Sequence, residues 1–283
     1  MHVRLSTLAE NSAGKLGMLA EWGLSILVET DDVTILVDTG RSMVAAHNAR
    51  VMGVKIKSID KILFSHGHHD HTGGLVDLLK FDDVSGTPVE VIAHPDVWAP
   101  KFWRSENESS YRYAGIPFAR KLAESLGASF HLTPEPVWIT DRIITSGEIP
   151  MLTDYEEIDA NAYVETDDGF VGDQLKDDQS LFIKSDKGLI IVSGCAHRGI
   201  VNTIRRAQDL TGCGDVYAIV GGIHLFSASE RRVRLTLEEI KRLDVQRIGV
   251  SHCTGPSASA FLAQELGNRF FFNQAGTITE FDV

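Results

Sequence analysis

Disulfides, positive charge and long apolar runs are all scarce in this 283-residue chain. Only three cysteines occur, Cys195, Cys213 and Cys253. An odd, sparse count argues against a disulfide framework and predicts reduced thiols in the cytoplasm. Lys and Arg number 27 against 39 Asp and Glu, a formal charge of −12. Phosphate backbones are held by clustered cations, so no nucleic-acid partner is expected. The one dense basic run, Glu230 to Arg247, carries Val233, Leu237, Ile240 and Leu243 at helical spacing. It predicts a surface helix with a solvated basic face. No run nears the roughly 18 apolar residues of a membrane span. The opening MHVRLSTLAENSAGKLG lacks the apolar stretch of a secretory signal. No membrane partner is expected.

What is present is α/β material. The runs LSILVE, TILVDTG, KILFSH, VEVIAH, LFIKS, LIIVSG, VYAIVGG and RIGVSH predict strands. HTGGLVDLLK, IPFARKLAESLG and RGIVNTIRRAQDL predict helices between them. A weak internal repeat aligns residues 25–40 with 180–195 without gaps, each copy a strand, a turn and a strand. Strands then end on polar residues, Asp38, His66, His224 and His252. In α/β sheets, sites lie beyond the carboxyl ends of strands, so these residues are expected at one edge. From about 96 to 175 the strand rhythm breaks. Trp98, Phe102, Trp103, Tyr111, Tyr113 and Phe118 cluster there, and a strongly acidic stretch follows. This span predicts an insertion or lid, its aromatics either lining a substrate pocket or forming its own core.

The densest chemistry is FSHGHHDHTGGL, residues 64–75, which holds four of the chain's 11 histidines. KILF predicts a strand before it and LVDLLK a helix after it. His66 and His68, two apart on extended chain, point the same way, and Asp70 and His71 follow as the chain turns into the helix. His69 is the spacer between them. Histidines this close would repel if protonated, and a metal holds them neutral. Imidazole with carboxylate suits zinc by default, with manganese or iron also accommodated. Gly73 and Gly74 allow the helix to approach closely.

HGHHDH resembles the HxHxDH signature of the metallo-β-lactamase superfamily, and VDTG at 37–40 resembles its upstream Asp motif. The resemblance implies one αββα domain over residues 1–283 with a dinuclear metal site at an edge of the sandwich. SGCAHRGIVNTI (193–204), GGIHLF (221–226) and SHCTG (251–255) resemble one branch of it. Members of that branch are named 7,8-dihydropterin-6-methyl-4-(β-D-ribofuranosyl)-aminobenzene-5′-phosphate synthase. Two departures stand out. Glu148, in ITSGEIP, stands where hydrolases of the superfamily usually carry a His. Cys195 stands where they carry a bridging Asp.

The expected metal ligands are His66, His68, Asp70, His71, His197 and His252, holding divalent metal, two zinc ions by default. The expected catalytic residues are Asp70, Asp38 and His224. Asp38 would act by orienting a ligand histidine or supporting its turn. His224 is open between ligand, partner of a ligand and substrate contact. Cys195 is open between thiolate ligand and inert buried thiol, and Cys253 is expected to point away. His94 ends a strand and is expected to be structural, as are His2, His47 and His131. The leading function is hydrolysis of a small ester or phosphoester by a metal-activated water. The alternatives are the transfer that the branch's name implies and a non-catalytic metal-containing binding protein. The partner expected is a small molecule, phosphorylated or pterin-like.

Overall fold

The computed structural model describes residues 1–81, 88–104 and 109–283. The repeat in the sequence is a repeat in the topology. One sheet runs β17 (Ile278–Asp282), β1 (His2–Ala9), β2 (Ser25–Thr30), β3 (Thr34–Val37), β4 (Lys61–Leu63), β5 (Val89–Ala93), β8 (Ala128–Leu132). The other runs β9 (Ile143–Thr145), β12 (Ser180–Ser185), β13 (Gly188–Ser193), β14 (Val216–Gly222), β15 (Arg247–Ser251), β16 (Phe270–Phe272). From β1 to β8 the pairings are antiparallel, antiparallel and then parallel. From β9 to β16 the same order of directions recurs.

Alternation along the strands sorts side chains into layers. Ile26, Val28, Ile35 and Val37 face Leu181, Ile183, Ile190 and Val192 in a core between the sheets. Leu27 and Leu36 point outward instead, onto α1 (Val44–Val51), α3 (Leu75–Lys80) and α4 (Arg120–Ser125). On the other flank Phe182, Leu189 and Ile191 meet α5 (Ile200–Thr211), α6 (Glu230–Arg242) and α7 (Pro256–Leu266). The fold is an αββα sandwich, as the motifs implied. All eight strands predicted from apolar runs are present.

The middle of the chain needs correction. The span 96–175 is not one insertion, because β8 pairs with β5 and β9 with β12, inside the main sheets. What is added is two flanking pieces that build a small third sheet: β7 (Arg112–Tyr113), β6 (Lys101–Trp103), β10 (Ala162–Thr166), β11 (Gly169–Gly172). Residues 105–108 of this span lie outside the described part. The acidic stretch is also less solvated than its composition suggests. Glu156, Asp173, Asp177 and Asp178 are all buried. Likewise α6 is not wholly solvated on its basic side, since Arg232 is buried and donates to the Glu157 carbonyl.

Candidate metal centre

Strand ends carry the site. Asp38 follows β3, Ala196 lies between Cys195 and His197 beyond β13, His224 lies beyond β14, and His252 follows β15. Each has positive φ, 59°, 52°, 45° and 51° respectively. Non-glycine residues rarely adopt this conformation, and it concentrates at functional sites. Here it turns the chain sharply as it leaves each strand. In the first half, β4 leads through His66 and His68 into a short helix, α2 (His69–Thr72). Gly74 lets that segment sit against the loop after β3, where a Cβ would lie 2.1 Å from the Thr39 carbonyl oxygen.

Two trios of ligand atoms result, each drawn from both halves of the chain. His66, His68 and His197 form one; Asp70, His71 and His252 form the other. Within each trio the atoms lie within 4.8 Å of one another. All six residues are buried. Cys195 Sγ lies 3.1 Å from His71 Nε2 and groups with His66 and His71 across the two trios. The His224 ring centroid is 4.1 Å from that of His197, and both its ring nitrogens are buried, with the Cys253 thiol nearby.

The outer hydrogen bonds fix which ring nitrogens face inward. Asp38 accepts from the Ser65 amide at 2.7 Å, from Ser65 Oγ at 2.7 Å and from His71 Nδ1 at 2.6 Å. A carboxylate only accepts, so Ser65 Oγ spends its proton on Asp38. It must then accept from His66 Nδ1, 2.9 Å away. One buried carboxylate thus sets two imidazole tautomers, leaving Nε2 bare on both rings. His252 Nδ1 donates to Asn11 Oδ1 at 2.8 Å. The Asn11 amide is held that way round by the His252 carbonyl and the Gly23 amide.

Inward nitrogens therefore face each other. His71 Nε2 and His252 Nε2 are 3.2 Å apart, as are His66 Nε2 and His197 Nε2. For His71 and His252, whose outer nitrogens both donate, two lone pairs at that distance need a positive charge between them. For His71 a proton can supply it in the metal-free chain. Burial pulls its pKa down, but the charge and hydrogen bond of Asp38 prevail and raise it to about 9. His66, His68 and His197 are driven well below the usual imidazole range, chiefly by burial. They present neutral nitrogen, the form a metal takes. Burial pushes Asp70 up, but the neighbouring imidazoles of His252, His69 and His71 prevail and hold it well below the usual carboxylate range. The donor set, imidazole nitrogens with one carboxylate and a thiol at hand, fits a borderline divalent cation.

Several expected residues fall outside the trios. Asp38 is fully buried and is bonded to Ser65 and His71, in a position that supports the trios from outside. Glu148 pairs with His94 at 3.1 Å and joins no ligand group among the described residues. His94 also accepts from the Asp96 amide, a turn-capping role. His197 groups with His66 and His68 instead.

Other residues of the site were not expected. Glu10 accepts from the His252 amide at 2.8 Å, and Asn11 holds its ring. Both follow β1, so the strand-end rule would have found them had β1 been recognised. Asp178 is buried beneath the His197 loop, accepting from the Arg198 amide, and burial raises its pKa to about 7. Asp177 accepts from the Gly67 amide and from Lys101, which also donates to Asp173. This buried cation ties the small sheet to the histidine loop.

Around the centre, Trp103 lies 5.8 Å from the His68 ring at a 33° tilt. Trp22 lies against His252, and the exposed Phe226 against Trp22. Tyr111 is spoken for, stacked on Phe170 at 3.8 Å. A cavity of about 340 Å³ opens beside His224, walled in part by Tyr155, Asp159, Asn161, Ser227 and Arg231. No described helix is long and apolar enough to cross a membrane, and all three cysteines are free.

Comparison with known proteins agrees with this geometry. The metallo-beta-lactamase superfamily profile matches residues 23–252. A 7,8-dihydropterin-6-methyl-4-(beta-D-ribofuranosyl)-aminobenzene-5′-phosphate synthase from Methanocaldococcus jannaschii is 33% identical, covering 99% of this chain and 97% of its own. An uncharacterized protein of the same organism is 31% identical, covering 97% and 98%. The crystal structure of a metal-dependent hydrolase of the beta-lactamase superfamily matches with a TM-score of 0.82 at 25% identity, covering 99% of both chains. A diphosphatase from the PhnP family shares the fold at a TM-score of 0.55 and 13% identity.

Proposed function

This chain belongs to the metallo-beta-lactamase superfamily and is an enzyme, and on that premise we propose that it is a divalent-metal-dependent hydrolase of a small ester or phosphoester. The observation that carries the reading is the pair of ligand trios, in which Asp38, Ser65 and Asn11 leave the inward nitrogens of His71, His66 and His252 bare. His66, His68 and His197 would hold one ion, and Asp70, His71 and His252 a second, with zinc the expected metal. Bound there, divalent cations supply Lewis-acid polarisation and a water acidic enough to act near neutral pH. Asp70 would take the proton of an attacking water. His224 would return a proton to the departing group. Trp103 offers a face to a planar substrate. The thiols and the charge balance suit a small-molecule enzyme of the cytoplasm.

A second reading is transfer, in which the acceptor is an organic molecule in place of water. It is favoured by the 33% identity to a synthase whose name joins a dihydropterin-6-methyl group to a ribofuranosyl-aminobenzene phosphate. One experiment serves both. Metal content is measured on purified protein, which is then assayed against phosphodiesters, phosphomonoesters, lactones and thioesters, and for that synthase reaction. Hydrolysis that is lost with the metal in His68→Ala supports the first reading. Synthase turnover without any hydrolysis transfers the proposal to the second. Full metal occupancy in His68→Ala sinks the ligand assignment for both.

A further inference from the structure

We propose that the cavity beside His224 is a phosphate subsite, where Arg232 and the first turn of α6 hold a phosphate group of the substrate remote from the reacting bond. The proposal rests on the reading that the neighbouring trios hold the reacting group on divalent cations. The bonding of Arg232 carries it. Arg232 is 8% exposed and lines the cavity. Its Nη1 donates to the Glu157 carbonyl at 2.8 Å, which pins the plane of the guanidinium. Its Nε and Nη2, the two donors of the side-on edge, are buried and meet no acceptor. A guanidinium stays charged, and a buried charged donor left without an acceptor is costly. Two parallel N–H bonds on one edge are the shape that a pair of oxyanion oxygens fills.

The carboxylates nearby do not fill that edge. Glu156 accepts from the Val201 and Asn202 amides, both at 2.9 Å. Asp159, in the cavity wall, accepts from the Asn161 amide and from Ser227 Oγ. Glu157 is exposed and reaches Arg232 through its carbonyl. Burial lowers the Arg232 pKa despite the charge of Glu156. The start of α6 adds donors. Ser229 Oγ caps the Arg232 amide, and the Glu230 and Arg231 amides open a 13-residue helix with no intrahelical acceptor. Donors from an arginine edge and from a helix start suit the tetrahedral oxygens of a phosphate better than the flat pair of a carboxylate. His224 joins the cavity to the metal centre, since it lines the one and its ring lies 4.1 Å from that of His197 in the other. A substrate with its reacting end on the metals and a phosphate past His224 spans both.

The test is calorimetric titration of the full zinc-loaded chain with inorganic phosphate. Two phosphates are expected to bind, one on the metals and one in the cavity. Arg232→Gln should lose the second. Arg232→Lys, which keeps the charge and loses the fork, should hold it about tenfold or more weaker. His68→Ala should lose the phosphate on the metals and keep the one in the cavity. Asn161→Asp adds a negative charge to the cavity wall without touching the bond that anchors the guanidinium, and should weaken the cavity phosphate. It reads the same site if circular dichroism shows Arg232→Gln unfolded. A zinc-loaded wild type that binds a single phosphate, unchanged in Arg232→Gln, Arg232→Lys and Asn161→Asp, overturns the subsite and leaves the metal centre standing. A wild type that retains no zinc yet binds one phosphate, lost in Arg232→Gln, overturns the metal reading and keeps the subsite.

Discussion

Asp38 shows how much one side chain can set at this site. It holds His71 directly and His66 through Ser65. Asp38→Asn preserves the shape but puts an N–H where an acceptor stood, or weakens both bonds. Metal affinity should fall about 10–100-fold with the fold intact, read by competition with a chelator. An unchanged affinity would mean that the tautomers are set elsewhere. The aromatics separate in the same way. Trp103→Ala should weaken binding of a planar substrate, whereas Tyr111→Ala, which removes the stack on Phe170, should lower thermal stability alone. If both variants bind normally, the small sheet does not touch substrate. HGHHDH was legible because its ligands are adjacent in the chain. Asn11 was not, because its partner His252 is 241 residues away and only the folded sheet brings them together.

At the scale of elements, the strand-end rule did most of the work, and it did so where strands are apolar and central. β1, with its polar alternation HVRLSTLA, escaped notice, and with it Glu10 and Asn11. The small sheet escaped too, because its strands are short and half-exposed and share no long apolar run. Its attachment is ionic. Lys101, 1% exposed, lies between Asp173 and Asp177 at 2.7 and 2.9 Å, and Asp177 continues to the Gly67 amide. Lys101→Met would leave buried carboxylates without their cation. Removing one partner of a buried pair costs about 3–5 kcal/mol, so urea unfolding should shift by that order. A loss under about 1 kcal/mol would mean that water replaces the lysine freely. The close approach of the two halves makes a second point. A Cβ on Gly194 would lie 2.0 Å from Ser65 Oγ and 2.7 Å from Asp38 Oδ2. Gly194→Ala should therefore lower metal affinity without touching a ligand, measured by the same competition. Wild-type affinity in that variant would show that Ser65 can move at no cost.

Across the whole molecule, the two sheets repeat one topology, and the ligands are divided between the copies. His66, His68, Asp70 and His71 come from the first half, and His197 and His252 from the second. A cation bound by both halves stabilises only the state in which the halves are assembled. At free metal of about 100 times Kd, binding adds about 2.7 kcal/mol of stability, so chelation should lower the unfolding midpoint accordingly. The pH dependence carries a sign. In the metal-free chain the His71 pKa is raised from 6.5 to about 9. Its protonation therefore contributes stability fully below about pH 6.5, and that contribution is lost as pH rises through 9. A cation held by His71 and His252 would take the place of that proton, and this loss would disappear. Unfolding midpoints at pH 6, 7.5 and 9, taken with chelator and with excess zinc, should decline in the first series and hold or rise in the second. Parallel series would show that His71 does not exchange its proton for metal, and would remove Asp70, His71 and His252 as a metal position.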